Sequence, residues 1–288
     1  MTESGTPIKT VAVIGAGTMG HGIAHVCALA GMDTRLTDVA GDAVALGLQK
    51  VRKNLDSGVA KGKTTEAQRD RVLAHLRGTD SLADAVSGAD LVVEAIPERM
   101  EWKLALLGRL AGLLGPQAIV ATNTSSLSVA AMAAAAPDPR RVIGTHFFNP
   151  VHIMALLEVV TPAGTDPAVL EAVLAFGAEI GKECIVVRDS PGFATSRLGV
   201  CLGMEAIRMV EEQVASPADI DKAMVLGYRH PIGPLRLTDL VGLDVRLNIG
   251  EYLATELGNP AFRPPDLMRR MVAEGRLGQK TGGGFYDW

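Results

Sequence analysis

The segment Val11 to Gly22, VAVIGAGTMGHG, constrains this chain more than any other. Val11 to Ile14 form an apolar, mostly β-branched run suited to a buried strand, and Gly15, Gly17 and Gly20 follow at the spacing G-x-G-x-x-G. A strand that ends in such a turn and restarts as a helix opens a βαβ unit. Gly15 lets the chain leave the strand sharply, Gly17 keeps the backbone bare where a pyrophosphate must approach, and Gly20 lets the helix lie close to the sheet. The N–H groups of the turn, with Thr18 and Met19 between the glycines, and the positive end of the helix then face the phosphates. Three glycines alone are a weak signal. They are strengthened by small apolar residues at helical spacing (Ile23, Ala24, Val26, Cys27, Leu29, Ala30) and by Asp38, which ends a second short strand, Thr34 to Thr37. A carboxylate there accepts from ribose hydroxyls and repels a 2′-phosphate, so the expected cofactor is NAD rather than NADP; the plain alternative is a solvated loop carboxylate.

Strands and helices keep alternating up to Cys184 to Arg188, as a doubly wound α/β sheet requires. The predicted strands are Leu91 to Ala95, Ala118 to Ala121, Val142 to Thr145 and Ala155 to Val160. Helices are predicted over Asp42 to Leu55 and Thr65 to Leu76, with GVAKGK between them, then over Arg99 to Leu114, Val129 to Ala136 and Pro167 to Ile180. Beyond DSPGF, at Asp189 to Phe193, the pattern becomes helical: Thr195 to Gln213, Asp219 to Leu226, Leu235 to Leu257 and Pro265 to Glu274, before the tail GQKTGGGFYDW. The expected organisation is a Rossmann-type domain over residues 1–188, with a helical hairpin inserted at about 42–77, and an all-α domain over 189–288. With 288 residues there is material for two cores. Apolar faces on the C-terminal helices, such as Leu198, Cys201, Leu202, Ile207 and Val210, suggest burial against a second subunit.

A net charge of -4 gives no global cationic excess to displace counterions, which argues against a nucleic-acid partner. Eight Lys or Arg against three acids between Lys50 and Arg77 form a local exception, either a solvated face or a clamp for a polyanion, with Lys61 and Lys63 exposed at the hairpin tip. Cys27, Cys184 and Cys201 show no metal spacing and read as core thiols of a reducing compartment. The polar start MTESGTPIKT has no leader-like apolar core, and the uncharged stretch Leu110 to Pro137 is interrupted by Pro116 and by TNTSS. A cytoplasmic protein with no membrane partner and no metal is expected.

Two side chains carry the chemistry. His146 ends a strand within THFFNP, and Glu158 lies in an apolar strand where an unpaired carboxylate costs several kcal/mol or is forced to protonate. A carboxylate on one imidazole nitrogen fixes the tautomer and raises the basicity of the other, which can then accept an alcohol proton as hydride leaves the same carbon. A structural histidine beside an unrelated carboxylate is the rival reading. Glu94, Glu98 and Lys103 are further suspects, because ligands gather at the carboxyl ends of strands, as does the loop from Asn123 to Ser126.

Taken together, GAGTMG, Asp38, VVEAIPE, TNTSSL, HFFNP, LLEVV, DSPGF, the segment Asp219 to Val245 and the tail KTGGGFY resemble the L-3-hydroxyacyl-CoA dehydrogenase family, in particular its short-chain bacterial members acting on 3-hydroxybutyryl-CoA. The resemblance spans nearly the whole chain. It implies that His146 is the base with Glu158 orienting it, that Ser125 bonds the substrate's 3-oxygen near the nicotinamide, that Asn123, Asn149, Glu98, Lys103 and Lys280 lie around NAD, and that Lys61 meets the phosphates of an acyl-CoA. It also implies a homodimer formed through the helical domain, with domains that close on the substrate. Ser196 stands where many relatives carry an asparagine that polarises the substrate oxygen; a hydroxyl still donates one hydrogen bond but reaches less far. A dehydrogenase of the same fold acting on a free sugar acid or hydroxy acid, one preferring 3-hydroxyadipyl-CoA, and a catalytically silent NAD-binding protein are the alternatives.

Overall fold

A computed structural model describes residues 7–288. Met1 to Thr6, most of the polar start read above for a leader, lie outside the described residues. The chain divides into two compact units, the first ending at Asp189 and the second running from Ser190 to Trp288.

The first unit opens with β1 (Thr10–Ile14), α1 (Gly20–Leu29) and β2 (Asp33–Thr37). Then come α2 (Gly41–Ala60), α3 (Glu66–Ala74), β3 (Leu76–Thr79), α4 (Leu82–Val86), β4 (Leu91–Glu94), α5 (Met100–Leu110) and β5 (Ile119–Thr122). It ends with α6 (Val129–Ala134), β6 (Val142–Phe147), β7 (Leu156–Thr161), α7 (Pro167–Glu179) and β8 (Glu183–Arg188). The eight strands form one sheet in the order β3-β2-β1-β4-β5-β6-β7-β8. Pairing is parallel except between β6 and β7. The order reverses at β1 and β4, and the crevice outside the carboxyl ends of those strands is where such a sheet receives ligands. Both faces are covered. Val11, Val13, Ile23 and Leu36 pack into one apolar cluster, and Ala12, Val92, Leu106 and Leu110 into another. Full burial of each large aliphatic side chain contributes roughly 1.5–3 kcal/mol.

Three expectations need correction here. The hairpin is the crossover between β2 and β3, because Leu76 starts a strand that pairs in parallel with β2 instead of ending a helix. That strand reads LRGT and lies at the sheet edge with no fully buried residue, so no apolar run announced it. The first hairpin helix runs through Gly58 to Ala60, leaving a tight turn before Thr65, whose hydroxyl and Gln68 form a reciprocal cap. Between β6 and β7 there is no helix, only the loop 148–155, which is why those two strands run antiparallel.

The second unit comprises α8 (Thr195–Glu211), α9 (Pro217–Gly227), α10 (Pro234–Val241), α11 (Leu243–Leu257) and α12 (Asp266–Ala273) around Met204, Ile207, Leu235, Leu243, Leu253 and Met268. The single helix expected over 235–257 is two. Gly242, at φ 104°, breaks it where an L side chain would be strained. Asp239 pins the glycine-rich tail, accepting from the backbone N–H of Phe285 (3.0 Å) and Tyr286 (2.9 Å) and from Trp288 Nε1 (3.0 Å). All three cysteines are free thiols; Cys27 is buried, whereas Cys184 and Cys201 are half-buried and so only partly fit a core role. Among the described residues no helix is long and apolar enough to cross a membrane.

Candidate active site

A crevice of about 820 Å³ opens over β1, β2 and β4, lined by the glycine turn, Asp38, Glu98, Asn123 and Ser125 among others. Gly15 sits at φ 102°, and a Cβ there would lie 2.6 Å from the Ala95 carbonyl oxygen, so only glycine lets the turn close against the loop after β4. A Cβ on Gly17 would meet nothing within 4 Å. That open backbone at the foot of α1 leaves room for a pyrophosphate. Thr18 is exposed and Met19 half-buried beside it. Asp38 accepts from Ala16 N (2.7 Å) through Oδ2 and from Ala40 N (3.3 Å) through Oδ1, which fixes its carboxylate at the end of β2 on the crevice wall. The donor set fits a dinucleotide with a free ribose 2′-hydroxyl.

Beneath the opposite wall lies a closed ionic cluster. Lys103 Nζ donates to both oxygens of Glu94 (2.7 and 2.8 Å), and Thr122 Oγ1 (2.6 Å) and Ile96 N (2.8 Å) donate to the same carboxylate. Lys103 is 0% and Glu94 2% exposed. Lys103, expected around the cofactor, stands against Ile96 and Glu98 of the crevice lining. Its ammonium has no surface and is held by Glu94, with Glu98 Oε2 3.7 Å away, so it supports the wall from below. Glu98 is an exposed organiser whose Oε1 accepts from Thr124 Oγ1 (2.6 Å), Ser125 N (2.8 Å) and Ser126 N (3.2 Å). It thereby shapes the turn that presents Ser125 to the crevice. Asn123 ties this wall to β6, since its Oδ1 accepts from Phe147 N at 2.9 Å.

On β6, the residue before Phe147 is His146. Antiparallel register sets His146 directly opposite Glu158, and Nδ1 lies 2.6 Å from Glu158 Oε2. His146 is 6% exposed and Glu158 0%, and the Phe148 ring tilts against the imidazole with centroids 4.4 Å apart. Asn149 follows on the exposed loop. The sheet thus brings Gly15, Gly17, Thr18, Met19, Asp38, Glu98, Asn123 and Ser125 to one crevice, with the His146 and Glu158 pair joined to it through Asn123. Lys61 is exposed at the tip of the hairpin. In the second unit, Ser196 is half-buried in the first turn of α8, and Lys280 pairs with Asp244 at 2.6 Å.

A cluster that sequence reading missed lies on α1. His25 is buried, stacked on His152 with centroids 5.3 Å apart, and its pKa is lowered to about 4 by burial, then by His152, His21 and Lys182. Lys182 donates to the carbonyls of Val151 and Met154, holding the loop after β6 against that histidine.

A phosphate-binding turn and a buried imidazole–carboxylate pair on one sheet define a dinucleotide-dependent dehydrogenase. Residues 10–190 match the 3-hydroxyacyl-CoA dehydrogenase NAD-binding domain and residues 192–288 match the C-terminal domain of the same enzymes, so the chain belongs to the 3-hydroxyacyl-CoA dehydrogenase family. It is 42% identical over 281 residues to a 3-hydroxybutyryl-CoA dehydrogenase of Bradyrhizobium diazoefficiens, covering 98% of this chain and 96% of that one. The solved structure of an (S)-3-hydroxybutyryl-CoA dehydrogenase from Ralstonia eutropha superposes with a TM-score of 0.94 at 43% identity, covering 98% and 99% of the two chains. A 3-hydroxyadipyl-CoA dehydrogenase of Escherichia coli is 40% identical over 98% of this chain, which spans 59% of that protein. The protein is an NAD-dependent oxidoreductase with an N-terminal Rossmann-type sheet and a helical C-terminal domain.

Proposed function

We propose that the protein reversibly oxidises the L-3-hydroxyl of a short acyl-CoA, 3-hydroxybutyryl-CoA, with His146 as the base. The observation that carries this reading is the 2.6 Å contact between His146 Nδ1 and Glu158. With Nδ1 turned to the carboxylate, Nε2 takes the hydroxyl proton while the C3–H bond breaks, and Glu158 stabilises the imidazolium that results. NAD, when bound, supplies the acceptor for the hydride that leaves C3. Ser125 and Ser196 donate to the 3-oxygen; Gly17, Thr18 and Met19 hold phosphates, Asp38 the adenosine ribose, and Glu98, Lys103, Asn123, Asn149 and Lys280 lie around the rest of the NAD. Lys61 attracts the CoA phosphates. The short-chain preference is supported by what the relatives act on.

We assign the helical unit to substrate binding and to a homodimer. Leu198, Leu226 and Tyr228 expose 72%, 73% and 76% of their surface there, apolar side chains of the kind a subunit contact covers. The test is formation of NADH across C4 to C16 and dicarboxyl 3-hydroxyacyl thioesters, free hydroxy acids and both nicotinamide cofactors. The highest kcat/KM is expected with the C4 thioester and NAD. A preference for the adipyl thioester or for a free acid would replace the substrate assignment, and absence of turnover with every thioester would remove it.

A further inference from the structure

The far end of the crevice holds two charged side chains that have no part in the scheme above. Asp80 follows β3 as Asp38 follows β2, and because Thr37 and Thr79 are register partners the two carboxylate residues are neighbours at the same sheet edge. Arg109 is contributed by α5. On α5, Trp102, Leu106 and Arg109 fall on one helical face, and all three line the crevice with Asp80. Leu82, Ile96 and Leu106 line the same crevice and give it apolar wall that suits a flat uncharged ring. Asp80 and Arg109 are both exposed at this rim.

We propose that Asp80 and Arg109 read the edge of the dinucleotide's base and select adenine. The inference rests on the assignment of this crevice to NAD. If Asp38 holds the adenosine ribose, the base attached to that ribose enters the apolar slot beside Asp80. An ionised carboxylate only accepts hydrogen bonds and a guanidinium only donates them. Adenine matches both, offering the exocyclic N6 amine as donor and its ring nitrogens as acceptors. Hypoxanthine opposes the carboxylate, because it places a carbonyl oxygen where adenine has the amine. A nonspecific apolar slot would not distinguish the two bases, since their rings have the same size.

The probe pair is NADH and reduced nicotinamide hypoxanthine dinucleotide, titrated by fluorescence into the full-length protein with no thioester present. The unaltered protein is expected to bind NADH about tenfold more tightly, the worth of one charge-assisted hydrogen bond. Asp80→Ala should collapse that ratio to about one by weakening NADH and relieving the opposition to the hypoxanthine analogue. Asp80→Asn, whose amide can accept from the adenine amine or turn and donate to the hypoxanthine carbonyl, should also lose most of the preference while still binding both dinucleotides, and Arg109→Ala should weaken both ligands severalfold. An unchanged ratio in Asp80→Ala, or equal binding of both dinucleotides by the unaltered protein, overturns the base reading alone. Failure to bind NADH at all overturns the crevice assignment, and the base reading with it.

Discussion

Two buried acid–base pairs sit in the same sheet and do opposite things. Glu94 and Lys103 meet at the carboxyl end of β4, where both oxygens of the carboxylate face the ammonium and Thr122 and Ile96 add donors. His146 and Glu158 meet across β6 and β7 at a similar depth. The first pair joins a strand to a helix through an ammonium bonded to both carboxylate oxygens, and works as a fastener. The second joins two strands and contains the one side chain type that exchanges a proton near neutrality. Depth of burial therefore does not separate a structural ion pair from a reactive one. What separates them is whether the cation can give up its proton at working pH.

Substitutions at the two pairs should break along that line. His146→Gln is expected to lower turnover by roughly 10²- to 10⁴-fold while NADH still binds; steady-state rates beside a fluorescence titration measure this, and unchanged turnover would make the second pair a fastener as well. Lys103→Met should cost about 3–5 kcal/mol of stability by stranding the Glu94 carboxylate, read from urea denaturation. Adding Glu94→Leu should recover part of that loss, and no recovery would mean that the ammonium does more than neutralise its partner.

A smaller effect separates a third kind of buried base. His25 is held neutral with its pKa lowered to about 4, below the ordinary value of 6.5, so the unfolded chain binds more protons than the folded one in that window. Its contribution is complete above about 6.5 and is lost as pH falls towards 4. His25→Gln should flatten the decline of thermal stability over that range, and an unaltered slope would place the sensitivity elsewhere. Asp38→Ala gives the smallest expected change, narrowing the preference for NAD over NADP by about tenfold; kcat/KM with both cofactors decides it.

The parts of this site that were legible in the chain are those whose function is local. The turn from Gly15 to Gly20 announces itself because three positions within six residues need the absence of a side chain, for backbone freedom, for access and for close packing. The His146 and Glu158 pair was legible for a different reason: a carboxylate in an apolar strand requires a partner, and few were in reach. What escaped was set by tertiary context. β3 could not be read from LRGT because an edge strand with one face in water needs no apolar run. The burial of Lys103 against Glu94 was not legible either, because it depends on how α5 lies against β4 and β5, which no spacing along the chain reveals. The break at Gly242 was invisible for a similar reason, since apolar periodicity continues on both sides of it. His25 and His152 were missed because the loop after β6 brings together residues more than a hundred positions apart.

The ladder between β6 and β7 has a consequence for how such an enzyme can be altered. Backbone pairing alone fixes which residue stands across from the imidazole, so the connecting segment from 148 to 155 is free of that duty. Shortening, lengthening or exchanging its part beyond Phe148 and Asn149 would leave the proton-handling couple in place as long as the two flanking strands keep their alignment. A slip of one residue in that alignment, by contrast, would send the glutamate to the other side of the sheet. Variation in the molecules accepted can therefore accumulate in the connector while the reaction itself stays the same.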